Sequence, residues 1–118
     1  MSGKETWDRR RHVRVRLAVD YDIGFELCEG AVFSRVNVVD LSLGGVGILA
    51  EPPMNRYATG AQLELRVSPT DAAPFRIAGV VRHTARGVCG VEFQNVDAAA
   101  VAVMRRSVAE LLERGNLA

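Results

Sequence analysis

The chain has 118 residues, 48% of them hydrophobic, 25% charged and 6% aromatic, which describes one domain around a single modest core and excludes a disulfide scaffold, a collagenous or disordered chain and a multidomain enzyme. Net charge is +1, but residues 1–16 hold Lys4, Arg9, Arg10, Arg11, Arg14 and Arg16 against Glu5 and Asp8, a net +4 that leaves the remainder at −3. A nearly neutral body with one basic arm favours a local anionic ligand over a broad nucleic-acid face, which needs a spread basic surface.

Residues 15–27 alternate without a break, with Val15, Leu17, Val19, Tyr21, Ile23, Phe25 and Leu27 on one face. This predicts a half-buried strand, long enough to need a bend near Gly24. Cys28 to Gly30 makes a turn, and residues 31–39 form a second strand with a slip at the Val38-Val39 pair. A short third strand follows the Gly44-Gly45 turn, carries Val46, Ile48 and Ala50 on one side, and ends at Pro52 and Pro53. Leu63, Leu65 and Val67 mark a fourth strand, Phe75 to His83 a fifth, and Gly87 to Phe93 a sixth reached through a short loop at Thr84 to Arg86. The period changes at Asn95: Asp97 is placed to cap a helix with Val101, Met104, Val108, Leu111 and Leu112 on one stripe, and Gly115 to end it. Six antiparallel strands and one helix predict a small all-β barrel with a helical lid.

Cys28 and Cys89 lack CxxC or Cys/His spacing, and neither His12 nor His83 has a ligand partner nearby in sequence, so no zinc or redox motif is read and the thiols are expected to be buried and inert. No stretch approaches a membrane span, and the default compartment is the cytoplasm. No nucleophile–base pair or phosphate-cradling loop before a helix is visible, so catalysis is not expected.

Two elements carry chemistry. The arm Asp8-Arg9-Arg10-Arg11-His12-Val13-Arg14 offers planar guanidinium forks that grip a phosphate, read the O6/N7 edge of guanine or stack on a purine. Its plain reading is a solvated charge run. The turn Asp40-Leu41-Ser42-Leu43-Gly44-Gly45 places a carboxylate and a hydroxyl two residues apart, on one side of an extended chain, where Asp40 can accept from the N1/N2 edge of guanine and Ser42 can donate or accept. Gly45 would let the backbone come close to a ligand, and the plain alternative is an Asx-type turn whose glycines supply positive φ.

The arm fits RRxxxR as Arg9, Arg10 and Arg14, and the turn fits (D/N)xSxxG as Asp40, Ser42 and Gly45. In this combination the chain resembles the PilZ domain family, bacterial receptors for the second messenger cyclic di-GMP, and Gly90-Val91-Glu92-Phe93 and the C-terminal helix extend the resemblance over nearly the whole length. The resemblance implies a six-stranded antiparallel PilZ-type barrel with a C-terminal α-helix over residues 15–118, preceded by a flexible basic ligand-binding arm over 1–14. It implies a stand-alone, non-enzymatic receptor in which Arg10 and Arg14 contact guanine and phosphate and Asp40, Ser42 and Gly45 hydrogen-bond a guanine. Arg9, just before the Arg10-to-Arg14 spacing, implies a stacked pair of ligands rather than one, with Asp8 acting in the opposite direction. Ligand binding would then be relayed to an unidentified downstream protein partner, with no membrane span, cofactor or nucleic acid involved. Two other functions fit parts of the pattern: a nucleic-acid-binding small barrel using the arm, opposed by the acidic body and the lack of an aromatic platform, and a PilZ-like scaffold that binds only protein, opposed by the retained arginines.

Overall fold

The computed structural model describes residues 12–118, so the arm up to Arg11, with Arg9 and Arg10 in it, lies outside the described residues. Within them the chain forms β1 (Val15–Arg16), β2 (Ile23–Glu29), β3 (Val32–Arg35), β4 (Val38–Leu41), β5 (Gly45–Leu49), a single 3₁₀ turn (Met54–Arg56), β6 (Gln62–Pro69), β7 (Phe75–Ala85), β8 (Val88–Gln94) and α1 (Ala98–Glu113). All strand pairs are antiparallel, in the order β1-β4-β5-β8-β7-β6-β2-β3.

The class is the one the sequence predicts, with eight strands in place of six because two predicted strands are each divided. The alternating run 15–27 breaks at residues 17–22 rather than bending at Gly24: Tyr21 N–H donates to the Ala18 carbonyl at 3.0 Å and Ile23 N–H to the Tyr21 carbonyl at 3.1 Å. Val19, predicted to face the core, stands fully in solvent. The physical reason is topological. β1 pairs with β4 and β2 with β6, at opposite ends of the sheet order, so the chain must cross between them, and a period of two carries no information about which neighbour a strand has. Residues 31–39 divide in the same way at Val36 and Asn37. Val36 N–H donates to the Phe25 carbonyl of β2 at 3.1 Å, while the Asn37 carbonyl accepts from Leu49 N–H of β5 at 2.9 Å. Bonding β2 and β5 through consecutive residues draws the two ends of the sheet together into a curled half-barrel. The expected slip is present as a register shift between Val38 and Asp40, and the intervening Val39 carbonyl accepts from Leu17 N–H at 3.0 Å.

The β7–β8 hairpin turns through Arg86 and Gly87 with φ of 56° and 76°, both left-handed, as a two-residue turn matching the strand twist requires. The core gathers Phe25, Leu27, Leu41, Val46, Ile48, Leu65, Val67, Val81, Val91 and Phe93 from the inner face of the sheet. Burying such a side chain stabilises the fold by about 1.5–3 kcal/mol.

Helix α1 closes this core with Ala100, Met104, Ser107, Val108 and Leu111. Leu112, predicted on the same stripe, is instead 41% exposed, because it falls one residue past the buried row. Asp97 caps the N-terminus by accepting from Ala100 N–H at 2.8 Å, a bond worth about 1 kcal/mol. At the other end Gly115, with φ of 82°, donates to the Leu112 carbonyl and Asn116 to that of Leu111, both at 3.0 Å, the paired bonds of a Schellman motif. The turned chain then runs beside β1: the Asn116 carbonyl accepts from Arg16 N–H at 2.6 Å, Ala118 N–H donates to the Arg14 carbonyl at 3.0 Å, and Val15 bridges to Leu117. Cys89 is buried as expected; Cys28 is only half-buried, on the outer face of β2.

Candidate ligand-binding site

β4 carries Leu41 into the core and so turns Asp40 to the outer face of the sheet. The hairpin to β5 then closes over four residues, with Ser42 N–H donating to the Gly45 carbonyl at 2.9 Å. The Ser42 hydroxyl accepts from Gly44 N–H at 3.2 Å and lies 3.4 Å from the Gly45 carbonyl. At 2% exposure, this side chain is engaged with the turn itself. Neither Gly44 nor Gly45 has positive φ, so the alternative in which these glycines supply a left-handed conformation does not hold; space is what they supply. A Cβ on Gly45 would stand 2.2 Å from the Val91 carbonyl oxygen, and one on Gly44 would stand 2.9 Å from the His12 ring. The close approach at Gly45 is therefore to the backbone of β8.

Asp40 meets the base of the arm. Arg14 Nη2 donates to Asp40 Oδ1 at 2.5 Å, with both side chains 26% exposed. The contact follows from the β1–β4 pairing, whose register sets Val15 against Leu41 and Arg16 against Asp40 and so delivers the residue before β1 to the outer side of β4. On its other flank the Asp40 carboxylate lies over Gly47: a Cβ there would stand 2.9 and 3.0 Å from its two oxygens. The structure thus brings together Arg14 and Asp40, sets Ser42 and Gly45 in the adjacent turn, and describes neither Arg9 nor Arg10.

Sequence reasoning passed over the continuation of this row. Gly47 pairs with Gly90 across β5–β8, and Gly90 with His83 across β7–β8. A Cβ on Gly90 would stand 2.3 Å from the Cε1 of His83, so this glycine accommodates the imidazole as Gly47 accommodates the carboxylate. The available signal was the recurrence of glycine at 45, 47 and 90 within otherwise regular strands, where glycine marks close approach. A cleft of about 690 Å³ opens beside residues 17–25 and 35–38, and Asp40, Ser42 and Gly45 are not among the residues that line it. Among the described residues no group of His, Cys, Asp and Glu is arranged to hold a metal ion, and no helix is long and apolar enough to cross a membrane.

The PilZ domain model matches residues 8–110, and the chain belongs to the PilZ domain family. Its fold is that of the PilZ domain of YcgR from Escherichia coli, solved with c-di-GMP, at a TM-score of 0.66 and 20% identity over 92% of this chain and 95% of that one. It is also similar to the K. pneumonia MrkH–c-di-GMP complex, at a TM-score of 0.72 and 16% identity, and to the Bacillus subtilis inhibitor of motility, MotI/DgrA, at 0.67 and 17%. These alignments take in 92% and 91% of this chain but 53% of each of those chains, so the chain spans about half their length. No curated protein matches the sequence.

Proposed function

We propose that the chain is a cyclic di-GMP receptor that binds the dinucleotide on the outer face of its barrel, between the basic arm and the β4–β5 turn, and relays binding to a protein partner without catalysing a reaction. The observation that supports this reading is the Arg14–Asp40 ion pair, which sets a guanidinium fork beside a carboxylate. Each half finds its own counterpart in the ligand: the guanidinium in a phosphate or the O6/N7 edge, the carboxylate in the N1–H and N2–H donors of guanine. Arg9 and Arg10 complete the set from the arm, and Ser42 and Gly45 hold the turn that presents Asp40. The c-di-GMP complexes of the YcgR PilZ domain and of MrkH support the same ligand.

A route for the relay lies in the C-terminal tail. Residues 14 and 16 are hydrogen-bonded through their backbones to Ala118 and Asn116, so a shift of Arg14 toward a ligand bears directly on the segment that follows α1. Arg9 favours a stacked pair of dinucleotides, because a pair carries four phosphates and a larger guanine face for the added guanidinium.

Calorimetric titration with cyclic di-GMP, GMP and a short RNA tests the reading. Saturable heat with the dinucleotide alone is expected, at two molecules per chain and falling toward one in Arg9→Leu. Heat with RNA alone would support a nucleic-acid-binding barrel instead, and a parent that saturates at one ligand would overturn the stacked pair.

A further inference from the structure

We propose that the free edge of β3 is a strand-addition site for a protein partner, taking an extended segment that carries an acidic side chain opposite Arg35 and an aliphatic one opposite Val32. β3 is the last strand in the sheet order, and among the described residues no strand pairs with it on the side away from β2. It lies at the other end of that order from β1 and β4, so the site is separate from the Arg14–Asp40 pair and does not depend on the identity of the ligand.

The backbone of β3 is set for a neighbour. Val36 N–H donates to the Phe25 carbonyl at 3.1 Å, and hydrogen-bonded pairs alternate with non-bonded ones along an antiparallel ladder. The register sets Leu27 against Ser34 and Glu29 against Val32, so Ser34 and Val32 are the residues bonded to β2, and the N–H and C=O groups of Phe33 and Arg35 point off the edge. Two donors and two acceptors in alternation match an added polypeptide strand. A phosphate chain, which only accepts, would use half of them.

The side chains specify the partner. Register places Arg35, Glu26, Arg66 and Arg76 in one row across β3, β2, β6 and β7. Glu26 bonds Arg66 at 2.6 Å and Glu64 bonds Arg76 at 3.1 Å, and both guanidiniums lie over the Phe33 ring, 4.2 and 5.3 Å from its centroid. Arg35, exposed at the edge, forms no ion pair among the described residues. A carboxylate on the added strand would meet its guanidinium fork. A second copy of this chain is the poorer occupant: pairing β3 with β3 about Ser34 sets Arg35 against a Phe33 already covered by two guanidiniums, and like charges facing across a ladder destabilise it. Arg35 thus guards the edge against self-pairing, as charges on natural edges do, and selects an acidic partner. Val32, 59% exposed, lies on the opposite face three residues before Arg35, so an antiparallel partner carries its aliphatic residue three positions after its acidic one.

The test titrates the capped peptide Thr-Thr-Glu-Thr-Thr-Val-Thr-Thr into the isotope-labelled parent and follows backbone amide exchange by NMR. The Phe33 and Arg35 amides are expected to gain protection, while Ser34 and Val32, already bonded to β2, gain little. N-methylation of the peptide at Glu and at the second residue after it, whose N–H groups face β3, should abolish binding with the charge unchanged. N-methylation of the residue between them, whose N–H points away, should not. Arg35→Glu should weaken binding about three- to tenfold, as loss of an exposed ion pair with added repulsion implies, and should favour a peptide with Lys in place of Glu. Polyuridylate should leave both edge amides unprotected. The parent measurement needs no substitution, and circular dichroism checks the fold of Arg35→Glu. Equal affinity for the two N-methylated peptides would reduce binding to charge alone, and protection by polyuridylate would assign the edge to nucleic acid. Either result overturns the proposal, as do edge amides left unprotected at millimolar peptide or an unchanged affinity in Arg35→Glu.

Discussion

Arg14 and Asp40 come from positions 26 residues apart and share a 2.5 Å ion pair on the outer face of the sheet. Each is the other's partner, so binding at the proposed site would exchange one set of charge-assisted bonds for another. Arg14→Ala should weaken cyclic di-GMP binding by about one to two decades, corresponding to roughly 1.5–3 kcal/mol for a bond to a charged group. The fold should change little, since a partly exposed pair contributes about 0.2–1 kcal/mol. Asp40→Ala should narrow the preference for guanine over adenine dinucleotides. Calorimetry on both variants and the double variant should give losses that do not add, because either single change already frees the remaining partner; strictly additive losses would count against the exchange.

Gly45 and Gly47 separate stability from binding. At Gly45 a new Cβ meets a backbone carbonyl at 2.2 Å, whereas at Gly47 it meets the movable carboxylate of Asp40 at 2.9 Å. Gly45→Ala should destabilise by about 1–3 kcal/mol, as overpacking does, and lower the urea midpoint. Gly47→Ala should keep the midpoint near that of the parent and lose ligand affinity as Asp40 is pushed aside. Similar midpoints for the two variants would contradict these assignments.

The tail makes a third case. Removing residues 116–118 deletes the acceptor of Arg16 N–H and the donor to the Arg14 carbonyl. Hydrogen exchange at Arg16 should quicken while the amides of β5 to β8 keep their protection, as expected for a locally opening segment. Unchanged exchange at Arg16 would show that β1 is held by β4 alone and would remove the tail from the relay.

Alkaline pH tests the outer anchors. Burial, followed by the hydrogen bond to Glu110, pushes the Tyr21 phenol above its ordinary value of 10.0, and the bond to Glu29, followed by burial, does the same to Tyr57. A phenol raised in the folded state contributes stability that is fully present below the unfolded value and is lost as pH rises through the folded one. Burial also raises the Cys28 thiol above 9.0, so the loss begins there and steepens above about 10. Urea midpoints should hold level from pH 7 to pH 9 and then fall, and Tyr21→Phe with Tyr57→Phe should flatten the part above pH 10. A parent midpoint that stays level through pH 11 would contradict this.

The all-β class, the C-terminal helix with both its caps, the bulge near Val39 and the Asp40-to-Gly45 turn were legible in the sequence, because each depends on residues within a few positions of one another: alternation, an N-cap, a glycine after the last turn. The division of 15–27 and 31–39 was not legible, since alternation reports which face a residue takes and is silent on which strand lies beside it. The same limit hid which residues meet on the outer face. Arg14 meets Asp40 only because β1 pairs with β4, and His83 lies opposite Gly90 only because one inserted residue shifts the β7–β8 register. Local patterns in the chain determined the elements and the two motifs; long-range pairing of strands, which no local pattern encodes, decided which residues of those motifs share one face and what stands across from them.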